Sequence, residues 1–107
     1  MSALIWCPFP DHETARTIVG HLIDEGLIAC ANLVGPIESI FIWQGKRDEA
    51  EEYGVLLKTD ATLLARATER LGELHPYDTP AVMGWRCDAV PKAASDWLAA
   101  AGSRGSE

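Results

Sequence analysis

The stretch that most constrains the fold is residues 28–59, which reads as one long β-hairpin. Its outgoing arm runs through 28–34, breaks at Gly35 and Pro36 and resumes over 37–43, and the return arm is 53–59. Side chains alternate faces along a strand, so Ile37, Ser39, Phe41 and Trp43 share one side while Glu38, Ile40 and Ile42 share the other. Both sides are mostly apolar. A chain of 107 residues has helices enough to cover one sheet face, so the second apolar face is expected to meet another copy of the protein. The polar run 44–52 between the arms is expected to be a solvated tip.

Composition narrows the classes. The length fits one domain, predicted over 1–101 with a disordered tail at 102–107. Nine basic residues against sixteen acidic ones give a net charge of −7, which repels phosphate backbones and anionic membrane surfaces and argues against nucleic acid as a partner. No apolar run approaches the ~20 residues of a membrane span, and 48% hydrophobic with 23% charged residues is ordinary for a globular protein in water. The first residues have neither a basic start nor a long apolar run, so the expected address is the cytoplasm. Cys7, Cys30 and Cys87 are odd in number and contain no CxxC pair, which argues for reduced thiols and against a structural zinc site.

In chain order, residues 3–7 form a short apolar strand that Pro8 and Pro10 are expected to close. Asp11 stands at a helix N-cap, and Ala15, Ile18, Val19, Leu22 and Ile23 follow at helical spacing, ended by Gly26. Asp60 caps a second helix with Leu64, Ala67, Leu71 and Leu74 turned inward. That helix must stop at His75, because Pro76 disfavours helical geometry in the residue before it. Residues 81–87 read as a last full strand, and Pro91 opens a C-terminal helix carrying Trp97 and Leu98. The order is β-α-β-β-α-β: an α+β, ferredoxin-like sandwich with a long hairpin, an extra C-terminal helix and one sheet face left open.

Four short motifs now stand in order: Ala29-Cys30-Ala31-Asn32; Ser39 to Trp43 with Gly45; Lys58-Thr59; and His75-Pro76-Tyr77 with Pro80. Together they resemble the CutA family of divalent-ion tolerance proteins over nearly the whole chain, from about Leu4 to Leu98. The resemblance implies a ferredoxin-like subunit assembled as a tight homotrimer whose hairpins pair with neighbouring subunits, in agreement with the two-faced apolar hairpin. The chain departs from the family pattern at Phe41 (usually tyrosine), Asp78 (often glutamate) and Ala94 (commonly tyrosine). The first and third remove hydroxyls, so a ligand that needs those phenols would bind differently here.

The candidate site residues follow. Cys30 is a small buried hydrophobe or a soft ligand for copper or another thiophilic divalent metal. His75, held between a helix end and Pro76, is a platform for an imidazole ligand or simply a helix stop. Asn32, Ser39, Trp43, Lys58 and Tyr77 are expected to line a ligand cleft between subunits, Lys58 meeting either an anion or an acidic neighbour. His12 and His21, nine positions apart on one helix, fall on opposite sides at roughly 100° per residue and cannot chelate one ion together. No closed metal cluster, phosphate loop or catalytic triad can be traced, and no cofactor is required. The sequence therefore favours a non-enzymatic tolerance protein with possible copper or other divalent-cation binding. A trimeric signalling module like the nitrogen-regulatory PII proteins, binding a small metabolite, is the second reading, and an enzyme using His75 is the third.

Overall fold

The computed structural model describes residues 1–104. Strand β1 (Ser2–Phe9) leads into helix α1 (His12–Asp24), then β2 (Cys30–Trp43), β3 (Lys46–Asp60), helix α2 (Leu64–Leu74), β4 (Met83–Arg86) and helix α3 (Lys92–Arg104). The four strands form one antiparallel sheet in the order β2-β3-β1-β4, the ferredoxin-like order. Odd-numbered β1 residues Ile5, Cys7 and Phe9 and their β3 neighbours Val55 and Leu57 are fully buried under α1 and α2.

Local chemistry sets the helix limits. The Asp11 carboxylate accepts from the Thr14 N–H at 2.7 Å, so α1 starts one residue later. Its far end closes with Gly26 at φ 72, where Gly26 N–H donates to Ile23 and Leu27 N–H to Leu22, the paired bonds of a Schellman cap. Asp60 caps a single 3₁₀ turn, Ala61–Leu63, ahead of α2 rather than α2 itself. His75 leaves the helix in extended geometry, as Pro76 requires. Arg70 on α2 reaches Glu25 past the end of α1 at 2.8 Å and ties the two helices together.

Several boundaries differ from the sequence expectation. β1 does not stop at Pro8. β4 reaches only as far as Met83 opposite Trp6, so Pro8 has a strand neighbour on one side alone, opposite Gly54, where a missing donor is tolerated. The hairpin tip is not 44–52: Gln44 and Gly45, at φ 51 and 78, make a two-residue turn with both positions left-handed. Residues 46–52 are strand, paired in register from Trp43↔Lys46 to Ile37↔Glu52. β1 ends at Phe9↔Tyr53, so beyond that pair the two strands form a free arm of about 23 Å at 3.3 Å per residue. This arm accounts for the 44 Å long axis. β4 is four residues long instead of seven. The tail expected to be disordered is helical from Gly102 to Arg104, with Gly102 buried against Leu63; residues 105–107 lie outside the described residues.

Three carboxyls are held below their usual range: Asp11 and Asp60 chiefly by hydrogen bonds from Thr14 and Thr62, and Glu25 by its hydrogen bond from Arg70. A folded-state pKa below the unfolded one stabilises the fold above the unfolded pKa, and that stabilisation is lost as the pH falls through the folded value. The melting temperature is therefore expected to be flat from about pH 7 to 5 and to fall below about pH 4. Thermal melts across this range check it, and equal values at about pH 3 and 6 would refute it.

Candidate functional site

Cross-strand register puts most of the candidate residues on the face of the sheet opposite α1 and α2, and α3 packs against β3 and β1. Cys30 lies opposite Lys58, Lys58 opposite Leu4, and Leu4 opposite Trp85, so one row crosses all four strands. The next row is Asn32, Leu56, Trp6 and Met83. Cys30, Lys58, Leu4, Leu56 and Trp6 are half-buried, while Asn32, Met83 and Trp85 are exposed. Burial pushes the Cys30 thiol pKa up, and the adjacent Lys58 charge partly opposes that shift.

Simple alternation would place Asn32 and Ser39 on opposite faces. A bulge at Val34, between the pairs Leu33↔Val55 and Gly35↔Gly54, resets the phase. Ile37, Ser39, Phe41 and Trp43 therefore continue the face of Cys30 and Asn32. Ser39 is half-buried opposite Ala50, and Trp43 is 51% exposed opposite Lys46. Gly35 and Pro36 are the sequence signal for this bulge. Glycine at 54 also matters here, because a Cβ there would collide with the Trp6 ring.

His75 and Tyr77 form a separate group. The His75 ring is buried, stacked on Phe9 at 4.9 Å and against Tyr77 at 4.6 Å. Tyr77 N–H donates to Nδ1 at 3.2 Å, and Nε2 lies 2.9 Å from the Pro8 carbonyl. Nδ1 as acceptor leaves the proton on Nε2, where it is donated to that carbonyl. Both ring nitrogens are thus committed. The Tyr77 hydroxyl donates to Glu52 at 2.9 Å; burial, then this bond, pushes its pKa up to about 12. Burial likewise holds Cys7 as a thiol, pushed up to about 12. Glu52 and Phe9, which complete this group, carry no motif signal in the sequence beyond apolar and acidic character.

The structure thus brings Cys30, Asn32 and Lys58 together, with Ser39 and Trp43 further along the same face, and pairs His75 with Tyr77. It does not bring Cys30 to His75, which packs on the helix-covered face through Phe9. Among the described residues no three His, Cys, Asp or Glu side chains converge as a metal group. His12 rests against Tyr53 at 5.0 Å, and His21 is exposed. One chain therefore fits a single thiol donor, not a closed metal site.

No helix among the described residues is long and apolar enough to cross a membrane. Residues 3–101 match the model of the CutA1 divalent ion tolerance protein family. The divalent-cation tolerance protein CutA of Pyrococcus horikoshii is 41% identical over 95 residues, covering 89% of this chain and 92% of that protein. Its namesake in Thermus thermophilus is 35% identical over 98 residues, covering 92% and 95%. Among solved structures, CutA1 of Ehrlichia chaffeensis superposes with a TM-score of 0.88 at 30% identity over 94% of each chain. The periplasmic divalent cation tolerance protein CutA of Archaeoglobus fulgidus superposes with a TM-score of 0.89 at 29% identity, over 95% of this chain and 99% of that one. With the β2-β3-β1-β4 sheet, the long hairpin and the His75-Pro76-Tyr77 loop all in place, the chain belongs to the CutA1 divalent ion tolerance protein family.

Proposed function

We infer that the protein serves in tolerance of divalent cations, the role its relatives are named for, as a non-enzymatic homotrimer that takes up copper or another divalent cation in clefts between subunits. The observation that carries this reading is the sheet face opposite α1 and α2. It holds a half-buried thiol at Cys30 beside Asn32 and Lys58 and continues into an arm whose Ile40, Phe41, Ile42 and Trp43 are exposed. Apolar area of this kind in a folded chain favours a second copy as its cover. Cys30 supplies a soft donor. The remaining donors would come from a neighbouring copy, and His75 would join only by giving up one of its two hydrogen bonds. That commitment also weighs against an enzyme using His75 as acid or base. The address we assign is the cytoplasm, in keeping with three free cysteines and an expected reduced state. Relatives are named chloroplastic in rice and periplasmic in Archaeoglobus fulgidus, so fractionation of the producing cells is the check.

Native mass spectrometry with and without copper tests subunit count and bound mass together: a trimer that gains copper supports the reading, and a monomer that gains none ends it. Copper must displace the thiol proton, and the Cys30 pKa is raised. Affinity should therefore rise by up to about tenfold per pH unit between pH ~6 and ~8 in titration calorimetry, and Cys30→Ser should abolish the rise. A Cys30→Ser isotherm identical to the parent's removes the thiol from the site. The PII-like reading, a small metabolite in the same clefts, draws on Lys58.

A further inference from the structure

The sheet is weakest where the arm leaves the body. Just past the bulge at Val34, Gly35 lies opposite Gly54, Pro36 opposite Tyr53, and Pro8 on β1 opposite Gly54. The glycines leave that rung without a cross-strand side-chain pair, and the two prolines bring no N–H to the ladder. A two-stranded ribbon is marginal by itself, so residues 37–52 would turn about this seam unless something beyond strand pairing held them. Among the described residues, one side-chain hydrogen bond ties 37–52 to the body: the Tyr77 hydroxyl donates to Glu52 at 2.9 Å. Its anchor is firm, because the buried His75 ring two residues earlier has both nitrogens bonded. A cleft of about 290 Å³ separates Pro10, Asp11 and His12 from Pro36, Glu51 and Glu52, which leaves the arm room to move. Three carboxylates, Asp11, Glu51 and Glu52, line that cleft, and their repulsion loads the bond rather than replacing it.

We propose that the hydrogen bond from Tyr77 to Glu52 is a latch, which fixes the angle of the arm about the seam at Gly35, Pro36 and Gly54 and so pre-sets Ile40, Phe41, Ile42 and Trp43 for a second copy. A latched arm has less freedom to lose on association than a swinging one. The capture step rests on the homotrimer reading above. The latch itself does not, because every named residue belongs to one chain.

The test reads the arm in single subunits, in the full chain carrying Ile40→Asp, by residual dipolar couplings, which report the direction of each amide. With the latch intact, arm and body amides should fit one alignment frame. Tyr77→Phe keeps the ring and removes the donor, and it should shrink the couplings of 37–52 at least about 1.5-fold against those of β1 and α1. Glu52→Ala should do the same, whereas Glu52→Gln, which keeps an acceptor for the hydroxyl, should hold most of the unshrunk values. Tyr77→Phe and Glu52→Ala together should lose no more than either alone. Without Ile40→Asp, Tyr77→Phe should weaken association by about 3- to 10-fold in sedimentation velocity. Couplings indifferent to Tyr77→Phe, additive losses in the double variant, or losses that spread into β1 would each overturn the latch. A freed arm with unchanged association would overturn the capture step. A parent that sediments as a monomer, with arm couplings that still depend on Tyr77 and Glu52, would support the latch and remove only the homotrimer.

Discussion

Ile40→Asp is expected to dissociate the proposed homotrimer while leaving the single subunit folded. Ile40 is 56% exposed and Ile42 69% exposed in one chain, on the free arm beyond the end of β1, so an aspartate there is solvated in the monomer and changes its stability by only about 0.5 kcal/mol. In the proposed homotrimer the same side chain would be covered. The aspartate also faces Glu49 directly across the hairpin, with Arg47 the next residue on that face of the partner strand, so the direct contact is a like-charge pair. Burying that charge costs several kcal/mol, which at about 1.4 kcal/mol per decade weakens association by about 100-fold or more. Sedimentation velocity at micromolar concentration should show the parent as a trimer and the variant largely as a monomer with an unchanged far-ultraviolet dichroism spectrum. Phe41→Asp places its charge on the opposite face, across from Asp48, and separates the two covers: equal dissociation by both variants means an arm buried on both sides. Two variants as oligomeric as the parent would take the arm out of the interface.

Much of this architecture was legible because it rests on strong local signals. Helical spacing from Ala15 to Leu22, the Asp11 cap, Gly26 and the His75-Pro76 stop each have one dominant physical cause, and each stands where that cause places it. What escaped depends on pairing. Residues 46–52 look like loop because four of the seven are acidic, and charge is a poor guide on an arm with no core beneath it, where both faces meet solvent. The turn chemistry of Gln44 and Gly45, with left-handed backbone at both positions, was the better signal, since it fixes register for everything after it. The bulge at Val34 had the larger consequence for the site. One extra residue turns Ser39 and Trp43 onto the face of Cys30 and Asn32, which no count of alternation alone can show. Tertiary partners were out of reach altogether: neither Phe9 under His75 nor Glu52 under Tyr77 can be named without the fold.

His75→Ala is expected to be the most destabilising change at the motif residues, and to leave copper binding per folded chain unchanged. The ring contributes in three ways. It donates from Nε2 to the Pro8 carbonyl, accepts at Nδ1 from the Tyr77 N–H, and fills the space between Phe9 and Tyr77. Alanine leaves a cavity against a fully buried Phe9 and removes the imidazole partner from two backbone groups. Among the described residues the Pro8 carbonyl keeps only the long Cys7 Sγ contact at 3.5 Å. Cavity and unmet hydrogen bonds together come to about 3 kcal/mol per chain. The loss also frees the loop that lets Tyr77 hold Glu52 at the base of the arm, so hydrogen exchange should rise in 75–80 and at the start of the arm before it rises elsewhere. His75→Phe refills the space without the bonds and should recover the cavity share, about half of the loss. Urea unfolding at matched protein concentration measures all three proteins on one scale, and matched concentration is essential where assembly contributes to stability. If His75→Ala unfolds at the parent's midpoint and loses copper, the ring is a ligand in the working assembly and its two hydrogen bonds are dispensable; if it unfolds early and binds copper as the parent does, the imidazole serves the fold and Cys30 is left as the metal donor.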